Sequence, residues 1–306
     1  AAAQTPPPRP SPPAVVRVRD WAKANSFQVQ WLKRDEILQL AKGDTKLVLT
    51  ANSREARING VRVWLLKPFE YREGAGYLAQ LDLDATIAPV LRPPRHAKKI
   101  RHICLDPGHG GKDPGYRIGS QEEKRFSLAL AYELKDQLSR AGYKVTLTRT
   151  NDTFVDLPER PIQARKEGAD LFLSLHFNAT EGDRNEARGA EVYCLTPAGA
   201  SSTADGSDGP STGSLLGNRN DAKNLLLAYQ VQKALMRTPG TEDRGVRRAR
   251  FAVLRDATMP AILIEAGFLS HPVEGKKIQE SAYRRDIAKA IVQGVRAYQR
   301  VVESKK

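Results

Sequence analysis

Two hydrophobic periods share this chain, and the change between them falls at Arg92-Pro93-Pro94-Arg95-His96-Ala97-Lys98-Lys99. Before that stretch the apolar residues alternate: Phe27-Gln28-Val29-Gln30-Trp31, Lys46 to Thr50 and Arg57 to Trp64 all read as short strands. Asn59-Gly60 is a hairpin signal, because both residues tolerate positive φ. Asp20-Trp21-Ala22-Lys23 suits a short opening helix. Beyond the stretch, apolar strand-like runs alternate with helical ones. Strands are expected at Ile103 to Leu105, Lys144 to Thr148, Asp170 to Leu175, Ala190 to Leu195 and Ala261 to Glu265. Helices are expected over Phe126 to Leu138, Leu157 to Lys166, Asp221 to Leu235 and Ser281 to Arg300. Alternation of this kind predicts an α/β fold, a mainly parallel sheet covered by helices, preceded by a small strand-rich N-terminal domain. The boundaries read as a disordered Pro-rich lead-in over 1–14, the strand-rich domain over 15–91, a linker over 92–98 and the α/β domain over 99–301.

Charge and motif content narrow the function classes. With 49 basic against 35 acidic residues the chain carries +14, which favours polyanionic surroundings: nucleic acid, an anionic lipid surface or an anionic cell-wall polymer. No zinc-finger spacing or known nucleic-acid module is present, so nucleic acid is not expected as a partner. No apolar run reaches the roughly 18 residues of a spanning helix, so no transmembrane segment is expected. The opening Ala1-Ala2-Ala3-Gln4 is compatible with signal-peptide cleavage and equally with an arbitrary boundary. Cys104 and Cys194 sit in apolar runs and read as buried thiols, not as a disulfide framework. Met236 and Met259 read as packing residues. Pro197 to Gly217, rich in Gly, Ser, Thr and Ala, reads as a surface loop, with a gate or recruitment element as the alternative.

Chemistry concentrates where strands end. Asp106-Pro107-Gly108-His109-Gly110-Gly111-Lys112-Asp113-Pro114-Gly115 follows the first expected strand of the α/β part, and its glycines permit a tight turn at the sheet end. The run matches neither GxxxxGK[ST] nor GxGxxG, which argues against nucleotide binding. His176 closes a second apolar strand, and Glu123 opens a helix from which it can turn back towards His109. Two histidines and a carboxylate with an open fourth position make a catalytic zinc shell, suited to amide hydrolysis because the ion acidifies water and polarises a carbonyl. Glu265 ends the strand Ile262-Leu263-Ile264. A carboxylate there needs a site or a counterion, and in a zinc hydrolase it can shuttle a proton from water to the leaving amine. His96 and His102 lie in or beside the linker and are not expected to be ligands, whereas His271 falls near enough to Glu265 to be considered.

From about Lys99 to Tyr298 the chain resembles the catalytic domain of zinc-dependent N-acetylmuramoyl-L-alanine amidases, which trim bacterial peptidoglycan. The resemblance rests on an ordered series. Leu105 to Gly115 resembles the first zinc-histidine loop, Glu122-Glu123-Lys124 the zinc-glutamate segment, and Ser174 to Ala179 the second zinc-histidine segment. Thr148-Arg149 and Leu157-Pro158-Glu159-Arg160 resemble the family's Thr-Arg and Leu-x-x-Arg elements. Arg244-Gly245-Val246, Phe251 to Arg255 and Pro260 to Ser270 complete it. It implies a Zn2+ cofactor on His109, Glu123 and His176, a catalytic Glu265, and cleavage of the amide between the lactyl group of N-acetylmuramic acid and L-alanine. Glu123 is favoured over the adjacent Glu122 because it precedes Lys124. Arg125 departs from the family pattern. The resemblance also implies peptidoglycan as partner, an exported location in the periplasm or cell envelope, and room for an activator protein. Arg244 and Arg247 are candidates for substrate carboxylates, with surface or salt-bridge roles as the alternative. The region before Arg92 resembles the small β-domain at the N-terminus of some copper amine oxidases and of various secreted bacterial proteins. That likeness implies anchoring or positioning, and no copper. A zinc peptidase acting on stem peptides and a non-enzymatic wall-binding protein stay open as rivals.

Overall fold

The structure, a computed structural model, describes residues 14–95, 98–204 and 213–304. The Pro-rich lead-in apart from Ala14, His96, the centre of the 197–217 loop and Lys305-Lys306 lie outside the described residues. The strand-rich region opens with β1 (Val15–Arg17) and α1 (Val18–Ala24). It continues through β2 (Gln28–Lys33), β3 (Ile37–Lys42), β4 (Thr45–Thr50), β5 (Ser53–Ile58), β6 (Val61–Arg72) and β7 (Ala75–Ala79). From β2 to β6 it is an antiparallel meander. Its alternation is directional: Leu38, Leu40, Leu47, Leu49, Ala56, Ile58, Val61 and Val63 are buried, and their sequence neighbours face outward to varying degrees. Asn59 and Gly60 join β5 to β6 with φ of 50° and 85°, the paired positive values that a two-residue hairpin needs.

Residues 80–91 depart from the strand pattern expected up to Leu91. They form α2 (Gln80–Asp82), a π-helical turn (Leu83–Ile87) and α3 (Ala88–Leu91). Leu83 and Ile87, one helical turn apart, are both buried, and the buried Asp82 carboxylate accepts the amides of Leu66 and Lys67 at the bend of β6. The period had changed from two to nearly four, over too few residues to stand out.

After the linker come β8 (His102–Pro107), β9 (Arg117–Ile118), β10 (Gln121–Glu122) and α4 (Glu123–Arg140). Next are β11 (Lys144–Leu147), α5 (Glu159–Lys166), β12 (Leu171–Asn178) and β13 (Ala190–Leu195). A 3-10 turn at Leu216–Asn220 leads into α6 (Asp221–Leu235), β14 (Asp243–Ala249), α7 (Ala252–Arg255), β15 (Ala261–Phe268), α8 (Glu274–Gln279) and α9 (Ser281–Glu303). The sheet order is β11-β8-β12-β15-β13-β14-β6-β5-β4-β3-β2. From β11 to β15 neighbours are parallel, and β13 runs antiparallel to β15. The near-continuous apolar sequence of β8, β12, β13 and β15 follows from burial on both faces. Ile103, Leu105, Leu173 and Leu175 pack on the side of α4, α6 and α9, while Cys104, Phe172 and Leu263 pack with residues of α5 and α7. Strand β14, Asp-Arg-Gly-Val-Arg-Arg-Ala, was not expected, because its charges mask any period.

The strand-rich region and the α/β part share one sheet and one buried cluster, which contains Leu47, Val63, Leu225 and Ile291. The sheet crosses between them at the pair Val63–Val246. Side chains reinforce the seam. The Trp64 indole donates to the Arg244 carbonyl (2.8 Å), the Tyr229 hydroxyl to Ile58 (3.1 Å), and the buried Arg248 guanidinium to Ala85 (2.6 Å) and Leu195 (3.2 Å). Beneath the sheet α9 crosses α6 where Gly294 meets Val231; a Cβ on Gly294 would sit 2.6 Å from the Val231 Cα. Gly294→Val should therefore wedge the helices apart and cost about 1–3 kcal/mol, read as an earlier midpoint in urea unfolding.

Candidate metal centre and proton-transfer site

The loop after β8 takes a path that its own sequence cannot hold alone. His109 has φ of 61°, a left-handed conformation strained for a residue with a side chain, and Gly110 and Gly111 follow at 125° and 56°. Two arginines hold this backbone. Arg149 donates to the carbonyls of Pro107 (3.0 Å), Gly108 (2.8 Å), Lys124 (2.9 Å) and Asn151 (3.0 Å). Arg160 donates to Pro107 and His109 (both 3.0 Å) and pairs with Asp106 at 2.8 Å, where both side chains are fully buried. Asp106 also accepts the hydroxyls of Thr148 (2.6 Å) and Ser174 (2.7 Å). The Thr-Arg and Leu-x-x-Arg elements thus act on the carbonyls of the histidine loop.

That path brings three donors together. Ligand atoms of His109, Glu123 and His176 lie within 4.8 Å of one another. Glu123 sits between the two imidazoles, its Oε2 3.0 Å from His109 Nε2 and its Oε1 3.0 Å from His176 Nδ1. Amides of Tyr116 (3.1 Å) and Phe177 (3.2 Å) donate to the same carboxylate. Asp113 Oδ2 lies 2.8 Å from His109 Nδ1, the outer carboxylate that orients a ligating imidazole. Burial alone would raise the Glu123 carboxyl, but hydrogen bonds from both imidazoles outweigh it and hold the group well below the usual carboxylate range. Burial likewise opposes protonation of His109, yet Glu123 and Asp113 together raise its pKa above the ordinary value. Glu122 points elsewhere, to Arg117 and Lys124.

The donor set fits zinc: two imidazole nitrogens and a carboxylate, the histidine from the loop oriented by an acid, around an open cleft. Close approach here depends on glycines. A Cβ on Gly108 would collide with the His176 ring, and one on Gly115 would sit 2.5 Å from Glu123 Oε2.

Glu265 stands beside this cluster. It is the register partner of His176 on one side and of Glu191 on the other, so an imidazole and two carboxylates share one row across three strands. Its Oε2 is buried without a hydrogen-bonding partner, and burial, then Glu123 and Glu191, raise its pKa well above the ordinary value. Glu191 is a buried carboxylate next to the cluster that sequence reasoning missed. The signal was available, since an acid inside the apolar run Ala190 to Leu195 raises the same question as Glu265. It accepts Asn178 Nδ2 (2.7 Å) and the Tyr193 hydroxyl (2.8 Å).

Arg244 and Arg247 are both on β14 and both turn to Glu191, at 3.2 and 2.8 Å. Arg244 stacks on Phe268 and Arg247 on Trp64, with guanidinium-to-ring distances of 4.7 and 4.6 Å. Neither lines the cleft beside the metal cluster. That cleft, about 290 Å³, is bounded by His109, Glu123, His176 and Glu265, with Leu157 and Phe251 among its apolar walls. His271 lies apart from it, its Nδ1 accepting the amides of Val273 and Glu274 at the start of α8. His102 bonds Thr146 at 3.0 Å. The cysteines are free and buried. No helix among the described residues is long and apolar enough to cross a membrane.

Comparison with known proteins places this geometry in context. A family model described as N-acetylmuramoyl-L-alanine amidase matches residues 103–297. The amidase AmiC of Neisseria meningitidis serogroup B is 38% identical over 218 residues, covering 64% of this chain and 52% of that protein. LytC of Bacillus subtilis is 34% identical over 198 residues, covering 65% and 35%. This chain thus spans about half the length of the first relative and about a third of the second. An N-acetylmuramoyl-L-alanine amidase crystal structure from Clostridium difficile 630 superposes with a TM-score of 0.54 at 34% identity, over 66% of this chain and 97% of that one. AmiC2 of Nostoc punctiforme gives 0.54 at 28% identity, over 66% and 98%. The family match starts at residue 103, so the strand-rich region lies outside it.

Three outcomes follow from the geometry. Arg160→Met strands the Asp106 charge and should cost about 3–5 kcal/mol in denaturant titrations. With zinc a thousandfold above its dissociation constant the wild type should gain about 4 kcal/mol. Calorimetric melts should show that gain lost in His176→Ala and weakened in Gly108→Ala. The raised Glu265 carboxyl favours folding below the ordinary carboxylate range and opposes it as pH rises. Metal-free Glu265→Gln should therefore melt above metal-free wild type at pH 8, with the gap closing as pH falls towards about 4.

Proposed function

Because the chain belongs to the N-acetylmuramoyl-L-alanine amidase family, we propose that it hydrolyses the amide joining the lactyl group of N-acetylmuramic acid to L-alanine in peptidoglycan. The observation that carries this reading is the convergence of His109, Glu123 and His176 beside a carboxylate, Glu265, that has no partner for its inner oxygen. Zinc held by the first three would supply Lewis acidity, polarising the scissile carbonyl and making water easier to deprotonate. Glu265 takes the proton from the attacking water and delivers it to the alanine nitrogen as the C–N bond breaks. A carboxyl with a raised pKa serves both halves of that transfer. Asp113 keeps the His109 ring in place. Glu191, its charge balanced by Arg244 and Arg247, holds Asn178 at the cleft wall.

We read the strand-rich region over 15–91, likened to the small β-domains of secreted proteins, as a functional unit of its own even though it shares the sheet and core of the α/β part. Its role is to position the enzyme on the wall, and its seam with β14 brings Trp64 against Arg247, next to Glu191. Export to the periplasm or cell envelope follows from the substrate. An activator protein acting on the 197–217 loop belongs to the same reading, as do substrate carboxylates exchanging onto Arg244 and Arg247 from Glu191.

Purified peptidoglycan digested by the zinc-loaded protein should yield stem peptides with a free L-alanine amine, detected by mass spectrometry. Chelation should abolish release, and Glu265→Gln should lower kcat by a factor on the order of 10²–10⁴ while zinc stays bound. Stems shortened internally, with the muramyl–alanine amide intact, would overturn the substrate assignment in favour of a peptidase.

A further inference from the structure

On the helical face, α6 and α9 leave a groove made of two adjoining hollows of about 340 and 460 Å³ that share Arg237 and Gln293. Its cations are Lys233 from α6, Arg237 just beyond the end of that helix, and Lys289, Arg296 and Arg300 from α9, against a single acid, Asp286. Among the described residues, none of the five forms an ion pair or a side-chain hydrogen bond. Elsewhere in the molecule arginines do find carboxylates, as Arg57, Arg62, Arg117, Arg188 and Arg247 show. Arg296 and Arg300 stand four residues apart on α9, where like charges oppose helix formation. An anion bound along the groove would offset that repulsion.

The chemistry of the lining narrows the anion. Three of the five cations are arginines, whose forked donors suit the oxygens of phosphate or carboxylate. From Lys289 to Arg300 the helix rises about 17 Å, so the charges are spread along a line and suit a linear polyanion better than a single ion. No aromatic residue lines either hollow, which removes the stacking platform that single-stranded nucleic acids use. None of the exposed large hydrophobic residues lies on α6 or α9, so neither helix has the apolar stripe that inserts into a bilayer. Gln230 and Gln293 offer amides to hydroxyl groups. We infer that this groove binds a linear phosphodiester polymer of polyols or sugars, holding the protein on an anionic envelope polymer apart from its catalytic cleft. The buried Gln232, next to Lys233 on α6, donates to the Ala190 carbonyl and the Asp243 carboxylate, tying this helix to the strands that carry Glu191 and Arg244.

The test uses the zinc-loaded full chain and fluorescently labelled poly(glycerol phosphate), with binding followed by anisotropy between 50 and 200 mM salt. R237Q/R296Q/R300Q should weaken binding at least tenfold and flatten the salt dependence, whereas R34Q/R165Q/K166Q, equal in charge change, should leave it within twofold. Melting temperature should not fall below wild type in either variant, and zinc content and cleavage of a short soluble muropeptide should be unchanged. Equal losses in the two triple variants would reduce the effect to net charge and overturn the site. So would tighter binding to polyglutamate, to a single-stranded DNA 20-mer or to phosphatidylglycerol vesicles than to the polyol phosphate. If the groove variant does not fold, Arg237→Gln and Arg300→Gln are measured singly, and no weakening in either overturns the site.

Discussion

The active end of the sheet depends on one buried ion pair, Asp106 with Arg160, and on what that pair does to the backbone beside it. A carboxylate and a guanidinium taken out of water are tolerated only when the remaining donors and acceptors are used. Here they are: Asp106 takes two hydroxyls, and Arg160 gives its other hydrogens to the carbonyls of Val155, Pro107 and His109. Arg149 does the same for Gly108. A glycine-rich loop is entropically expensive to order and turns through conformations that side chains avoid. Charge-assisted bonds to its carbonyls supply the compensation, and the strained φ of His109 is the visible result.

Once that loop is held, the rest of the site follows from proximity. Glu123 opens α4 and reaches two imidazoles that arrive from different strands, while Asp113 aligns one of them from the loop itself. Glu265 is then left in a crowded electrostatic position, with burial first and then Glu123 and Glu191 raising its proton affinity. A purely structural residue at that register would be apolar. The two arginines on β14 relieve part of the crowding by neutralising Glu191, and one of them is packed by Trp64 from the strand-rich region. Through that contact, parts of the chain far apart in sequence reach the environment of the same carboxylate.

Much of this was written locally. The apolar runs of β8, β12 and β15, the positive-φ turn at Asn59-Gly60 and the periodic helices α4, α6 and α9 all come from residues close together, whose preferences agree with the final fold. His109 was legible from the glycine-rich loop that follows an apolar strand, and His176 and Glu265 because each breaks an apolar strand, where a polar residue needs an explanation.

What the linear order could not carry was everything made by contact between distant segments. Glu122 and Glu123 are alike in composition, and only the turn from β10 into α4 sends one to the imidazoles and the other to Arg117 and Lys124. Arg244 and Arg247 had both a ligand and a salt bridge open to them, and β13 supplies the salt bridge by presenting Glu191 to both. β14 itself has no period to read, because its place in the sheet is held by neighbours on both sides and by Trp64, not by a pattern of its own. Local preference set the elements and marked the strand ends where chemistry sits; tertiary packing chose which polar groups meet, since hydrogen bonds and ion pairs depend on distances that spacing along the chain does not contain.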